Sequence, residues 1–96
     1  MPTISQLEYI IAVDTYRHFG EAAKQCYVTQ PTLSMQIKKA EEELGVMIFD
    51  RSKQPVIPTD VGAALIAQAR IILRETGKLD EIVASFQNEV SGSLRL

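Results

Sequence analysis

Thr29-Gln30-Pro31-Thr32-Leu33-Ser34-Met35-Gln36-Ile37-Lys38-Lys39-Ala40-Glu41-Glu42-Glu43-Leu44-Gly45 is the stretch on which the fold turns. Leu33, Ile37, Ala40 and Leu44 recur at i, i+4, i+7 and i+11, the period of one helix face, with Pro31, Met35, Lys38 and Glu42 opposite. Pro31 suits the first turn, where its missing N–H costs nothing, Thr29 or Gln30 supplies the cap, and Gly45 ends the helix in a left-handed conformation.

Upstream, Glu21-Ala22-Ala23-Lys24-Gln25-Cys26 reads as a short helix whose paired alanines permit close packing, and Tyr27-Val28-Thr29-Gln30 is the turn between the two helices. A helix-turn-helix needs a tiny residue at the contact, apolar residues on each side of the turn and anchors on the second helix. Ala22, Ala23, Cys26, Val28, Leu33 and Ile37 meet that pattern. Tyr27 stands where many such units have glycine, and a tyrosine pays for a left-handed backbone there. A first helix of about twelve residues starts from Ser5-Gln6-Leu7-Glu8, whose spacing fits a capping box, and breaks at Arg17-His18-Phe19-Gly20.

Downstream, Val46-Met47-Ile48-Phe49 and Val56-Ile57 flank the polar Asp50-Arg51-Ser52-Lys53-Gln54-Pro55, which predicts a two-stranded wing. After Pro58, Thr59 caps a helix with no stop signal for about thirty residues, roughly 45 Å. Leu65, Ile72, Leu79 and Phe86 repeat every seven positions, and Gly62, Ala69, Thr76, Val83 and Val90 form the companion row, an a/d seam that predicts a second copy of the same helix as partner. Gly62 and Ala69 would let the two backbones approach closely. Ser91-Gly92-Ser93 reads as a hinge and Leu94-Arg95-Leu96 as the start of a strand. The expected organisation is a winged helix-turn-helix over 1–58, a dimerising helix over 59–90 and a hinge over 91–96, mainly α in class.

Ninety-six residues with 46% apolar content make one small domain, and a core of that size calls for a covering partner. The apolar run Tyr9-Ile10-Ile11-Ala12-Val13 is too short to span a bilayer and Met1-Pro2-Thr3 is not a basic leader, so a cytoplasmic location without membrane contact is expected. A lone Cys26 and a lone His18 make neither an internal disulfide nor a zinc site, no cofactor is expected, and no nucleophile is spaced with a base as in an enzyme. A formal charge of −2 and a pI near 5.3 run against the basic footprint of nucleic-acid binders. Between Tyr27 and Ala40, however, there are two lysines and no acid.

Phe19-x-x-Ala22-Ala23, Thr29-Gln30-Pro31-Thr32-Leu33-Ser34-x-Gln36-Ile37-Lys38, Glu42-Glu43-Leu44-Gly45-Val46, Phe49-x-Arg51, Thr59-x-x-Gly62 and Gly92-x-Leu94-Arg95-Leu96 follow one another with the spacing of LysR-type transcriptional regulators, which the whole chain resembles. Leu7-Glu8-Tyr9, Arg17-His18-Phe19, Glu43-Leu44-Gly45-Val46-Met47, Gln68-Ala69-Arg70 and Leu73-Arg74-Glu75 are similar to the peroxide-responsive branch of that family. The resemblance implies a dimer on an interrupted palindrome of double-stranded DNA, with a C-terminal effector domain beyond this stretch and a tetramer in the full-length protein.

With the third helix in a major groove, its opening turns should reach the bases. Gln30 and Gln36 are suited to adenine, Thr32 and Ser34 to phosphate or base, Pro31 and Met35 to a thymine methyl, and Lys38 to phosphate. Many relatives carry arginine in place of Met35, so the contact that arginine makes in them is not transferred. Arg51, Lys53 and Gln54 are the wing candidates for backbone or minor groove. Gly62, Leu65, Ala69, Ile72, Thr76, Leu79, Val83 and Phe86 are the dimerisation candidates. Cys26 is expected to be a structural thiol and His18 a local packing or hydrogen-bonding residue. The rival reading makes the long helix a protein-interaction surface and the helix-turn-helix mere packing, which the acidic pI favours.

Overall fold

The computed structural model describes the backbone of residues 1–95 and the side chains of residues 1–88. Its first helix, α1, runs Ile4–Tyr16 and is capped by Thr3, not Ser5. Thr3 Oγ1 accepts the Gln6 N–H at 3.1 Å and Gln6 Oε1 accepts the Thr3 N–H at 2.9 Å, a complete capping box two residues ahead of the expected one. Both pairs have the right spacing. The earlier one wins because Gln6 is buried and its amide also donates to Gln36 Oε1 at 3.0 Å, while Ser5 and Glu8 face solvent.

Helix α2 spans Phe19–Gln25, starting two residues earlier than expected because His18 Nδ1 accepts the Glu21 N–H at 3.0 Å. Ala22 and Ala23 are fully covered, as their size predicts. Tyr27 closes the turn at φ 58°, so the chain takes the left-handed conformation with a tyrosine in place. Helix α3, Gln30–Leu44, begins at Thr29, whose Oγ1 accepts the Thr32 N–H, and ends at Gly45 with φ 72°.

Leu33, Ile37 and Ala40 point into the core, but the fourth inward position is Glu41, and Leu44 is exposed at the helix end. Glu41 is buried because its carboxylate has a full set of donors. Oε2 accepts the Ile48 N–H at 2.7 Å and the Phe49 N–H at 3.4 Å, and Arg51 reaches Oε1 at 3.0 Å and Oε2 at 3.4 Å. The Arg51 guanidinium in turn sits 5.2 Å above the Phe19 ring, which packs edge-on to the buried Phe49.

The wing is an antiparallel pair, β1 (Phe49–Asp50) and β2 (Ile57–Pro58), in register Phe49↔Pro58 and Asp50↔Ile57. It is shorter than the apolar runs suggest because the Ile48 N–H is turned away to Glu41; the Ile48 carbonyl still accepts the in-register Thr59 N–H at 2.9 Å, where β2 gives way to the next helix.

Helix α4 runs Asp60–Arg95 and gives the molecule its 62 × 24 × 19 Å shape. Thr59 Oγ1 donates to Met47 O at 2.6 Å and accepts the Gly62 N–H at 3.0 Å, fastening the start of the helix to the chain entering β1. Arg70 pairs with Asp14 of α1 at 2.8 Å. The backbone stays helical through Ser91-Gly92-Ser93 to Arg95, so the expected hinge and strand are absent up to that point, and Leu96 lies outside the described residues. Helical hydrogen bonds are local, whereas a strand needs a neighbour that this stretch does not meet.

Glu41→Ala leaves Arg51 and two buried backbone donors unmatched, and is expected to destabilise the domain by about 3 kcal/mol. Urea unfolding followed by circular dichroism measures it; a loss under about 1 kcal/mol would mean that water replaces the carboxylate at no great cost.

Candidate nucleic-acid interface

With its aliphatic stripe inward, α3 turns its opening residues outward. Gln30, Pro31, Met35 and Lys38 are exposed, Met35 to 58%, while Thr32, Ser34 and Gln36 are half-buried along the edges of that face. Thr29 Oγ1 donates to Thr32 Oγ1 at 2.9 Å, so the Thr32 hydroxyl keeps its own proton for an outside acceptor. Gln36 is different: its carbonyl accepts one N–H from Gln6, so its side chain is oriented from within the chain while a second lone pair remains.

Hollows lie on both sides of this ridge. Between α3 and the wing, Phe19, Gln30, Ser34, Arg51, Gln54 and Val56 line one of about 220 Å³. On the α2 side, His18, Gly20, Glu21, Lys24 and Gln30 border another of about 310 Å³. A third, about 570 Å³, runs past Ser34, Lys38, Gly45, Met47 and Arg51. The first turns of α3 therefore form a protruding edge that can enter a groove.

The lysines on this edge form no ion pair among the described residues, although Glu21 and Glu42 border the same hollows. Lys38 and Lys39 are exposed, and Lys24 stands beside Gln30 across the second hollow. Neither Lys24 nor Lys39 is among the residues picked out by sequence. Helical periodicity reports only on α3 itself, and Lys24 joins the face through the α2–α3 crossing. His18 likewise borders the face, with Nδ1 committed to the Glu21 N–H.

The wing candidates separate. Lys53 and Gln54 are exposed at the tip, but Arg51 is held by Glu41 and Phe19, so both its terminal nitrogens are engaged within the chain. Its spacing in sequence cannot reveal that pairing, because Glu41 sits in a run of three glutamates. Asp50 shapes the tip: its Oδ1 accepts the Ser52 hydroxyl and N–H at 2.5 and 3.0 Å. Those bonds, the hydroxyl first, hold the Asp50 carboxyl below its ordinary range, with help from Lys53.

The dimerisation candidates divide too. Gly62 and Ala69, expected between two copies, are buried within one chain, Gly62 against the Ile48 carbonyl and Ala69 in the core. Leu65 and Ile72 are partly buried against that same core and Thr76 is half-buried, whereas Leu79, Val83 and Phe86 are exposed to 65%, 54% and 63%. A heptad seam and an intrachain packing face share one period, so the sequence pattern cannot tell them apart. Ile71 and Ile82, outside that pattern, are also exposed, at 45% and 53%. The side chain of Val90 lies outside the described residues.

Cys26 is half-buried among α1, α2 and α4, close to Ser5, Glu8, Tyr9 and Leu73. Burial raises its thiol above the usual range, and the nearby Glu8 charge adds to the effect. Among the described residues no cluster of three or more His, Cys, Asp or Glu is placed to hold a metal ion, and no helix is long and apolar enough to cross a membrane.

Residues 4–63 match the family described as bacterial regulatory helix-turn-helix protein, lysR family. Over 93 residues, 97% of this chain, it is 45% identical to the hydrogen peroxide-inducible genes activator of Pectobacterium carotovorum subsp. carotovorum and to the DNA-binding transcriptional dual regulator OxyR of Escherichia coli strain K12. The chain spans 31% and 30% of the lengths of those two relatives. Full-length OxyR from Pseudomonas aeruginosa superposes at TM-score 0.82 with 44% identity, over 86% of this chain and 28% of that one. The BenM DNA-binding domain in complex with benA site 1 DNA superposes at 0.83 with 30% identity, over 88% of this chain and 94% of that one.

A raised thiol pKa leaves little thiolate at neutral pH. Alkylation of Cys26 by iodoacetamide at pH 7.5 is expected to run slower than that of free cysteine; a rate equal to or above that of the free amino acid would contradict its burial.

Proposed function

This chain belongs to the lysR family of bacterial regulatory helix-turn-helix proteins, and we propose that it is a double-stranded DNA-binding unit that reads an operator with α3 in the major groove and the wing alongside. One observation carries the reading: the opening turns of α3 project Gln30, Pro31, Met35 and Lys38 clear of the body, between two hollows. Gln30 is assigned to a base edge, Thr32 and Ser34 to base or phosphate, Pro31 and Met35 to apolar base contact, and Lys38 to phosphate. Lys24 and Lys39 join Lys53 and Gln54 as backbone contacts, and Arg51 positions the wing. The two relatives named above and the BenM–DNA complex support this reading.

The unit acts as a dimer, with the exposed apolar residues of α4, Ile71, Leu79, Ile82, Val83 and Phe86, as the contact between copies. Two recognition helices on a two-fold axis then call for an interrupted palindrome. A tetramer in a longer protein follows from the same family likeness. The cytoplasm, where the chromosome of a bacterium lies, is the matching location. The stimulus assigned is peroxide, on the likeness to proteins named hydrogen peroxide-inducible genes activators. Cys26, kept as a thiol, is not the sensor in this scheme.

Titration against operator and random duplexes at two salt concentrations tests the reading. Lys38→Ala is expected to weaken both and to lower the salt slope by about 1, and Gln30→Ala to cost about 1–3 kcal/mol on the operator alone. An unchanged slope and affinity for both variants would remove α3 from the interface. Leu79→Asp and Phe86→Asp lie on exposed positions, so they are expected to give folded monomers in sedimentation velocity; persisting dimers would place the contact elsewhere.

A further inference from the structure

We propose that the corner Thr59–Gly62, where α4 is seated on Ile48, sets the spacing between the two operator half-sites, with Gly62 as the residue on which that specificity turns. The proposal rests on the dimeric reading above. In such a dimer the two copies meet along α4 while the bases are read by α3, so the angle between these helices inside one chain fixes the distance between the two reading heads.

The structure fixes that angle through backbone. A Cβ added to Gly62 would lie 2.0 Å from the Ile48 carbonyl oxygen, 2.8 Å from its carbon and 2.9 Å from Thr59 Oγ1, so helix backbone rests on backbone with the Thr59 hydroxyl at its edge. The same Ile48 carbonyl accepts the Thr59 N–H, and the Ile48 N–H is held by Glu41 of α3. A continuous line of hydrogen bonds thus runs from the recognition helix, through one residue, to the root of α4. At the Gly62–Ile48 contact itself, where backbone meets backbone, no rotamer change can take up a displacement. Eight residues further on, Arg70 is tied to Asp14, and Ala69 is buried beside it.

These two attachments lie about 12 Å apart along the helix. Bringing an alanine Cβ from 2.0 Å to the 3.0 Å that real contacts reach requires a shift of about 1 Å at the root. With Arg70 as pivot, that is a tilt of about 5°, which moves Phe86, about 24 Å beyond the pivot, by about 2 Å. With the seam held between the copies, it is each body that swings; over the molecule's 24 Å breadth the same tilt moves a reading head by up to about 2 Å, so the two heads shift by up to about 4 Å relative to each other, close to the 3.4 Å of one base-pair step. A methyl group at this corner is therefore worth about one base pair of spacing.

The test uses an operator selected by the wild-type chain from randomised duplexes, then rebuilt as a series in which the half-sites are moved one base pair at a time, together with a duplex carrying one half-site. The wild type is expected to bind one spacing at least tenfold more tightly than its neighbours. Gly62→Ala is expected to move that optimum by about one base pair while its affinity for the single half-site stays within about twofold. Thr59→Ala, which frees the corner without adding bulk, is expected to flatten the profile to under threefold, and Thr59→Ser to restore it. If Gly62→Ala does not fold by circular dichroism, the Thr59 pair decides. Folded variants that keep the wild-type profile would overturn the proposal and leave the dimeric reading standing. A wild type that binds one half-site as tightly as any pair would instead remove the dimeric reading, and this proposal with it.

Discussion

The carboxylate of Glu41 is the constraint around which the other parts are arranged. It is a charge on the inward face of a helix, 5% exposed, and such a group is tolerated only when its lone pairs are matched. Matching them draws in the Ile48 and Phe49 N–H groups and the Arg51 guanidinium. The wing starts where it does because of those bonds, Phe49 is delivered to the core beside Phe19, and the free carbonyl of Ile48 becomes the seat of α4. One side chain of α3 thus fixes the segment 48–51, and through it the wing, the Phe49 ring and the root of α4 are placed.

Much of this was legible beforehand, and the reasons are specific. The third helix announces itself through a proline near its start, a glycine at its end and an apolar stripe between, and each is a local property of the chain. The alanine pair in α2 and the wing around Asp50–Pro55 were equally readable. What escaped is tertiary. Thr3-x-x-Gln6 and Ser5-x-x-Glu8 are equivalent capping boxes until Gln36 is known to wait for Gln6. Glu41 is one of three adjacent glutamates until the chain folds back over it, and Arg51 looks like a wing cation for the same reason. Leu44 was placed inside by its spacing, but the helix leaves the core before reaching it.

The long helix shows the same limit in a different form. Its apolar row has one period from end to end but two destinations. Up to about Leu73 it closes the body of its own chain, with Ile66 and Ala69 buried, and from Leu79 to Phe86 it runs free with its large side chains uncovered. For a domain this small the first half is needed simply to complete a core. Only the second half is left over for a companion, which is why Gly62 and Ala69, small enough for two helices to touch, turned out to be small for contacts inside one chain.

The acid-free opening of α3 matters beyond its own contacts. Charges are screened over about 8 Å in physiological salt, so a polyanion lying against that edge senses Lys38, Lys39 and Lys24, with Glu21 and Glu42 at the margins, and hardly senses the acids of α4 beyond the body. A formally negative protein can therefore hold a negative surface on one side and be repelled on the others. Overall acidity then acts as a filter on orientation: wrong-way encounters are pushed off, and the few productive ones arrive with the reading edge already foremost.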